Sequence, residues 1–167
     1  KDLEVMMSNV ISSAWESVAT VTAGVELLDS FYSLAVRPGM KQSVERKTSE
    51  VYNMFSTELK RVKYEFDRHK KDPPLPYGQP RYAGAALWAK SLLSRIENDY
   101  AALCSSKHLS QAPDAVEATH NYTQLVTVLE GYIRQSHLDW VDSMHQAAAD
   151  QSQLASRLDR PLMVRQT

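Results

Sequence analysis

The sequence has 167 residues, which is the length of about one domain. Of these, 43% are hydrophobic and 23% are charged, close to the average of soluble globular proteins, which argues against a disordered tail, a collagen-like fibre and a membrane protein. The net charge of −1 supplies no field that would attract nucleic acid or an anionic bilayer.

Seven prolines leave four long proline-free stretches, at 1–37, 39–72, 81–112 and 114–160. Proline removes a backbone donor and clashes with the preceding turn, so helices rarely pass through it. Strands average about 5 to 6 residues, far shorter than these stretches. The spacing therefore predicts an all-α fold, an elongated bundle of about four long antiparallel helices with short proline-containing connections.

The first predicted helix covers about residues 2–36, because apolar residues recur from Leu3 to Ala35 with the helical period. The second covers about 40–70 on the same grounds and leads into a proline-rich linker near 72–80. Proline fixes φ and keeps its predecessor out of the α region, so this linker is expected to be extended.

The third predicted helix covers about residues 82–106 and the fourth about 113–158. Three tryptophans, Trp15, Trp88 and Trp140, fall on three different predicted helices. Their positions on or near the apolar stripes favour the core for each of them.

Patterns that carry chemistry are scarce. The sequence has no Gly-x-Ser-x-Gly elbow, no Walker-type phosphate loop and no Gly-x-Gly-x-x-Gly, and its one cysteine, Cys104, cannot form an internal disulfide. A di-iron bundle enzyme needs two Glu-x-x-His pairs, and Glu117-x-x-His120 is a single copy. We expect no catalytic residue, no cofactor-binding residue and no metal ligand, with a bundle metalloenzyme left as an alternative for a metal assay to decide.

Positive charge is concentrated between Lys60 and Lys71, at the end of the second predicted helix. Acidic residues interrupt the cluster, which favours an ordinary solvated helix face. An acidic patch on a partner protein is the alternative.

The segment from Pro80 to Ile96 is more specific, with the sequence PRYAGAALWAKSLLSRI. It closely resembles a signature in the N-terminal tail of dynein heavy chains, in which a proline-rich approach leads to Ala-Gly, a small or aliphatic residue, Trp, a leucine pair and Arg-Ile. The likeness covers roughly residues 25–165, and Arg160-Pro161-Leu162 resembles the approach to the next tail segment.

The resemblance implies a non-catalytic tail segment of an axonemal dynein heavy chain, an ATP-driven microtubule motor of cilia and flagella. The implied partners are dynein intermediate and light chains, other heavy chains and axonemal docking proteins, with the microtubule reached indirectly and with no nucleic acid or membrane. ATP and Mg²⁺ would bind in the motor domain of the parent chain, with no cofactor in this segment.

The residues expected to have structural or interface roles belong to the signature and to two tryptophans outside it. Small side chains around Gly84 would let another helix or backbone approach closely. Trp88 would fill the gap as a rigid anchor, and Leu92 and Ile96 would continue the packed seam. Arg95 would cover apolar surface with its stem while its head finds a carboxylate. The two tryptophans outside the signature are Trp15 and Trp140.

A free-standing, spectrin-like helical adaptor or scaffold is the main alternative. An array of that type would show a repeat of about a hundred residues. None is visible, although the chain is too short to decide the point.

Overall fold

The computed structural model describes residues 2–32 and 38–149, and the regular structure in these ranges is helical, which confirms the all-α prediction. The five α-helices of these ranges are α1 (Asp2–Trp15), α2 (Val21–Tyr32), α3 (Pro38–His69), α4 (Arg81–Ser105) and α5 (Asp114–Ala149). A short 3₁₀ turn, Leu109–Gln111, precedes α5. The predicted helical residues 33–36 and 150–158, and Arg160-Pro161-Leu162, lie outside the described residues.

A turn at residues 16–20 separates α1 from α2, so the prediction of one continuous helix over 2–36 is wrong. Ser17 closes α1, because its hydroxyl and its backbone N–H both donate to the carbonyl oxygen of Ala14. Thr20 caps α2, because its hydroxyl oxygen accepts a hydrogen bond from the N–H of Ala23 at 3.2 Å. The apolar period continues across this turn, which is why periodicity alone missed it.

The proline-rich linker ends in a tight turn that sets the start of α4. Gly78 has φ of 79°, a left-handed conformation that glycine adopts without steric cost. The N–H of Gln79 then donates to the carbonyl oxygen of Pro76 at 3.2 Å. Because Pro80 stands immediately before α4, the helix begins at Arg81, within one residue of the sequence prediction.

The described residues form two compact units. The first contains the residues up to Val62 together with Arg95–Gln124, and the second contains Lys63–Ser94 together with α5 from Leu125 onward. The helices α3, α4 and α5 each contribute residues to both units.

In the first unit α4 runs antiparallel to α3. Glu58 of α3 pairs with Arg95 at the earlier part of this α4 segment, whereas Phe55 stacks near Tyr100, farther along it. Tyr100 also stacks on Tyr122 of α5, with ring centroids 3.9 Å apart. Aromatic rings from three helices therefore share this core, as the helical periods predict.

Helix α2 lies along α4 in the same direction. Thr22 donates a hydrogen bond to Asp99, and the hydroxyl of Ser106 donates to Asp29 at 2.6 Å. Both pairs are 77 residues apart, so α2 keeps a constant register along α4 and Ser106, the residue that follows it. Since α4 opposes α3, α2 and α3 also run antiparallel, as the bundle prediction requires.

Candidate structural and partner-binding site

Trp88 is the anchor of the second unit. Its ring lies 5.9 Å from that of Phe66 on α3 at an interplanar angle of 15°, and 6.1 Å from Tyr132 on α5 at 79°. The side chain is only 8% exposed. Three helices therefore meet on one aromatic cluster, in the stacked and edge-to-face arrangements that aromatic rings prefer.

The indole Nε1 of Trp88 is buried and has no hydrogen-bond partner among the residues that the structure describes. A buried, unpaired N–H is destabilising. The value of Trp88 in this unit therefore comes from ring packing rather than from a polar contact.

Gly84 permits a close approach, but the neighbour is the linker rather than another helix. A Cβ placed on Gly84 would lie 2.9 Å from Cδ2 of Leu75 and 3.2 Å from Oε1 of Gln79. Leu92, two turns further along α4, is buried. The small residue at the start of α4 thus lets the linker fold onto the helix.

Tyr132 ties α5 to the residue that follows α3. Its hydroxyl donates to the carbonyl oxygen of Lys70 at 3.0 Å, which satisfies a carbonyl left free at the helix end. Burial raises the pKa of Tyr132, although a hydrogen bond from Ser136 and the charge of Arg81 lower it. Lys70 itself pairs with Asp67 at 2.9 Å, so this member of the basic cluster has an internal role.

In the first unit, Arg95 joins α4 to α3 through a carboxylate. Its Nη2 lies 2.5 Å from Oε1 of Glu58, and Ile96 beside it is fully buried. Arg61 approaches the other oxygen of Glu58 at 3.8 Å. Sequence reasoning expected a carboxylate here but did not name Glu58, because the partner is 37 residues away and only packing selects it.

Asp99 lies one turn beyond Arg95 on α4. Burial raises its pKa, the hydrogen bond from Thr22 lowers it, and the nearby charge of Glu58 raises it further. Two carboxylates therefore share this part of the first unit with the guanidinium of Arg95.

Trp15, at the end of α1, lies under a lysine of α3. The ammonium of Lys47 is 4.7 Å from the centroid of the indole ring and also pairs with Glu50 at 2.6 Å. Lys47 is nearly buried, which strengthens a cation–π contact by removing water. Trp15 thus connects α1 to α3.

Tyr52 is a buried residue of the first unit that sequence reasoning did not single out. Its hydroxyl donates to the carbonyl oxygen of Leu109 at 2.6 Å, and burial, with smaller contributions from the thiol of Cys104 and the carboxylate of Asp114, raises its pKa to about 12. The hydrogen bond holds the connection before α5 against α3. An apolar stripe does not reveal such a bond, because tyrosine fits the same stripe whether or not its hydroxyl is paired.

Trp140 is not in the core, contrary to the sequence interpretation. It is 47% exposed and stacks on His137, with ring centroids 5.9 Å apart. The apolar stripe of α5 is therefore only partly covered at this position. Of the residues expected to have structural or interface roles, Trp140 is the one with a large exposed apolar surface.

Glu117 and His120 are exposed on α5, and a ring nitrogen of His120 lies 3.0 Å from the amide nitrogen of Gln124. Within residues 2–32 and 38–149, no three His, Cys, Asp or Glu side chains group as metal ligands. None of the described helices is both long enough and apolar enough to span a membrane.

Comparison with known proteins gives a match over the whole sequence. The family "Dynein heavy chain, N-terminal region 1" matches residues 1–167. The chain is 35% identical over 154 residues to the Dynein-1-beta heavy chain, flagellar inner arm I1 complex, of Chlamydomonas reinhardtii, covering 92% of this chain and 3% of that protein.

Two further relatives agree. The chain is 35% identical to human Dynein axonemal heavy chain 2 over 163 residues, which is 98% of this chain and 4% of the relative. It is 26% identical to the Dynein gamma chain, flagellar outer arm, of Chlamydomonas reinhardtii over 148 residues, which is 89% of this chain and 3% of the relative. The chain therefore spans only a few per cent of the length of these relatives.

Proposed function

The chain belongs to the dynein heavy chain family and corresponds to its N-terminal region, and on that premise we propose that it is a non-catalytic tail segment of an axonemal dynein heavy chain. In this proposal the parent protein is an ATP-driven microtubule motor of cilia or flagella, and its nucleotide sites lie outside residues 1–167. The match over the full length of the chain does not favour the spectrin-like adaptor.

The single observation that supports a scaffold role is that side chains of the signature, Pro80 to Ile96, are used for packing and for pairing between helices. Trp88 and Leu92 are buried in the second unit, and Ile96 is buried in the first. Arg95, a charged member of the signature, pairs with Glu58. These side chains hold helices together, which supports a structural role for the signature.

A scaffold of this kind supports mechanical work through its stiffness. Helix α3 has 32 residues and α5 has 36, and at a rise of about 1.5 Å per residue each is a rod of roughly 50 Å. We expect such rods to carry intermediate and light chains or a neighbouring heavy chain, and to anchor the motor to axonemal docking proteins.

The relatives suggest an arm for this heavy chain. Identity is 35% to the relative named for the inner arm I1 complex and 26% to the gamma chain of the outer arm. We therefore expect the parent chain to assemble with inner-arm components.

Deletion of residues 1–167 from the full-length heavy chain tests the proposal. We expect the deleted chain to retain Mg²⁺-dependent ATP hydrolysis and microtubule gliding, but to lose co-purification with intermediate and light chains and incorporation into axonemes. Fractionation of axonemal extracts should place the intact chain with inner-arm dyneins.

Two point variants test whether assembly requires the segment to be folded or only to be present in the chain. Trp88→Ala in the full-length chain should reproduce the assembly defect, whereas Leu87→Ala, at a neighbouring exposed position, should not. Loss of ATP hydrolysis on deletion, or normal incorporation of the deleted chain, would contradict a tail role.

A further inference from the structure

Trp140 lies on a face of α5 that has buried positions on both sides of it. Ser136, one turn earlier, is 7% exposed, and Ala147, two turns later, is 1% exposed. Residues four and seven apart share one face of a helix, so these two buried positions bracket Trp140. Between these two buried positions, the side chains of Trp140 and Met144 are 47% and 41% exposed.

The same face is continuous with the established helix packing of the second unit. Leu125 and Leu129 are buried on it, and Tyr132 beside it contacts Phe66 of α3 and the carbonyl of Lys70. Lys70 follows the last residue of α3, so this contact marks where α3 stops supporting α5. The apolar spacing continues beyond it through Trp140 and Met144.

The exposed side chains on this part of the face have the character of an interface. Trp140 and Met144 are both partly exposed, and His137 stacks on the indole ring. Tryptophan and methionine are enriched in the centres of protein interfaces, where a large side chain enters a pocket of the partner. An isolated exposed apolar residue would need no explanation, but two at helical spacing on a packing face do.

We infer that the face formed by Ser136, Trp140 and Met144 of α5 docks a helix from another part of the same heavy chain, outside residues 1–167. A helix is the occupant because the face continues the helical spacing by which α5 packs in the second unit. The same polypeptide is the source because the chain spans 3 to 4% of its relatives, so nearly all of the heavy chain is tethered to this face.

This inference depends on the proposal that the chain is part of a complete heavy chain, but not on which subunits the tail binds. The docked helix would present apolar side chains at spacings of three and four residues to receive the indole ring. Docking would cover Trp140 and Met144 while leaving the opposite side of α5 in water.

Leu138 provides a matched control on the same helix. It is 48% exposed, nearly the same as Trp140, and two residues of helix place it about 160° away around the axis. A reagent that reaches all sides of α5 equally will react to the same extent at positions 138 and 140. Only a partner seated on the proposed face will distinguish them.

Photo-cross-linking in the full-length heavy chain tests the inference. A benzoylphenylalanine residue is placed at position 140 in one variant and at 138 in another, and cross-linked peptides are identified by mass spectrometry. We expect position 140, but not position 138, to cross-link to a single helical segment of the same polypeptide beyond residue 167. Cross-links to another subunit, to a second copy of the heavy chain or within residues 1–167 would overturn the inference, as would the absence of any cross-link at 140.

Hydroxyl-radical labelling provides a second measurement on the folded heavy chain. Oxidation of Met144, relative to the urea-unfolded chain, should rise several-fold in Trp140→Ala and stay at the parental level in Leu138→Ala. An equal rise in both variants would indicate general loosening of α5 and contradict a docked face. If the deletion described above left axonemal incorporation intact while position 140 still cross-linked as expected, the tail role would fail and the docking face would stand.

Discussion

The guanidinium of Arg95 lies 2.5 Å from a carboxylate oxygen of Glu58 and joins α4 to α3 across 37 residues of sequence. Both side chains are partly buried, which limits the screening of their attraction by water. The other ion pair of Glu58, with Arg61 at 3.8 Å, is screened more strongly because Arg61 is exposed. This pair therefore fixes the antiparallel register of the two helices in the first unit.

The Glu58–Arg95 pair should show measurable coupling in a double-mutant cycle. With Glu58→Ala and Arg95→Ala, we expect a coupling free energy of about 1 kcal/mol, because the pair is charge-assisted and only partly solvated. Urea unfolding of the four proteins gives the value. The cycle between Glu58 and Arg61 is the control, and this pair should couple by only a few tenths of a kcal/mol, because Arg61 is exposed and lies 3.8 Å from the carboxylate. Equal coupling in the two cycles would contradict a special role for Arg95.

Trp88 should be the most sensitive position of the signature helix. Trp88→Ala removes the ring that Phe66 and Tyr132 pack against and should lower the free energy of unfolding by about 3 to 5 kcal/mol. Leu87→Ala, at a position that is 54% exposed, should stay within about 0.5 kcal/mol of the parent. Thermal unfolding followed by circular dichroism gives both values.

Trp88→Phe distinguishes packing from hydrogen bonding at the same site. It keeps an aromatic ring in the cluster and removes the buried, unpaired Nε1–H, so it should destabilise the unit much less than Trp88→Ala. If Phe and Ala were equally destabilising, the indole nitrogen would have a role that ring packing does not explain.

Asp99 makes the stability of the first unit depend on pH. Burial raises the pKa of Asp99 in the folded state above its usual value of 3.8. The contribution of this group to the free energy of unfolding is therefore fully present below the pKa of the unfolded state, and it is lost as the pH rises through the pKa of the folded state. The asparagine in Asp99→Asn cannot ionise. The free energy of unfolding of this variant, relative to that of the parent, should therefore increase from about pH 3 to about pH 7.

Urea unfolding at several pH values measures the effect. The asparagine retains an oxygen that can accept the hydrogen bond from Thr22, so the variant isolates the charge. Asp72→Asn, at an exposed position in the linker, controls for the loss of one formal negative charge. A difference between Asp99→Asn and the parent that falls with rising pH would contradict a raised pKa.

Replacing Gly24 or Gly131, two glycines in helices, by alanine should change the free energy of unfolding in opposite directions. A Cβ on Gly24 would lie 2.9 Å from Cγ2 of Val51, a fully buried and β-branched side chain, so Gly24→Ala should destabilise by about 1 to 3 kcal/mol. A Cβ on Gly131 would meet nothing within 4 Å, so Gly131→Ala should stabilise α5 by about 0.5 to 1 kcal/mol. Midpoints of thermal unfolding show both signs, and a shift in the same direction for both would contradict the packing at one of the two sites.

The sequence by itself determined the fold class and most helix ends. Prolines and apolar spacing act locally, because a missing N–H or a period of 3.6 residues has the same effect in any surroundings. The starts of α3, α4 and α5 therefore agree with the prediction within about two residues. The turn at Ser17 to Thr20 was missed because capping hydroxyls can interrupt a helix without disturbing its apolar period.

Only the tertiary structure decided which positions on those stripes are covered and by what. Trp88 and Trp140 both lie on or near apolar stripes, yet Trp88 is enclosed by α3 and α5 whereas Trp140 lies past the point where α3 ends. Likewise, the partner of Arg95 is Glu58, and the neighbour of Gly84 is the linker. Burial and pairing depend on which distant segments reach a residue, and the local period of one helix carries no information about the length or register of another.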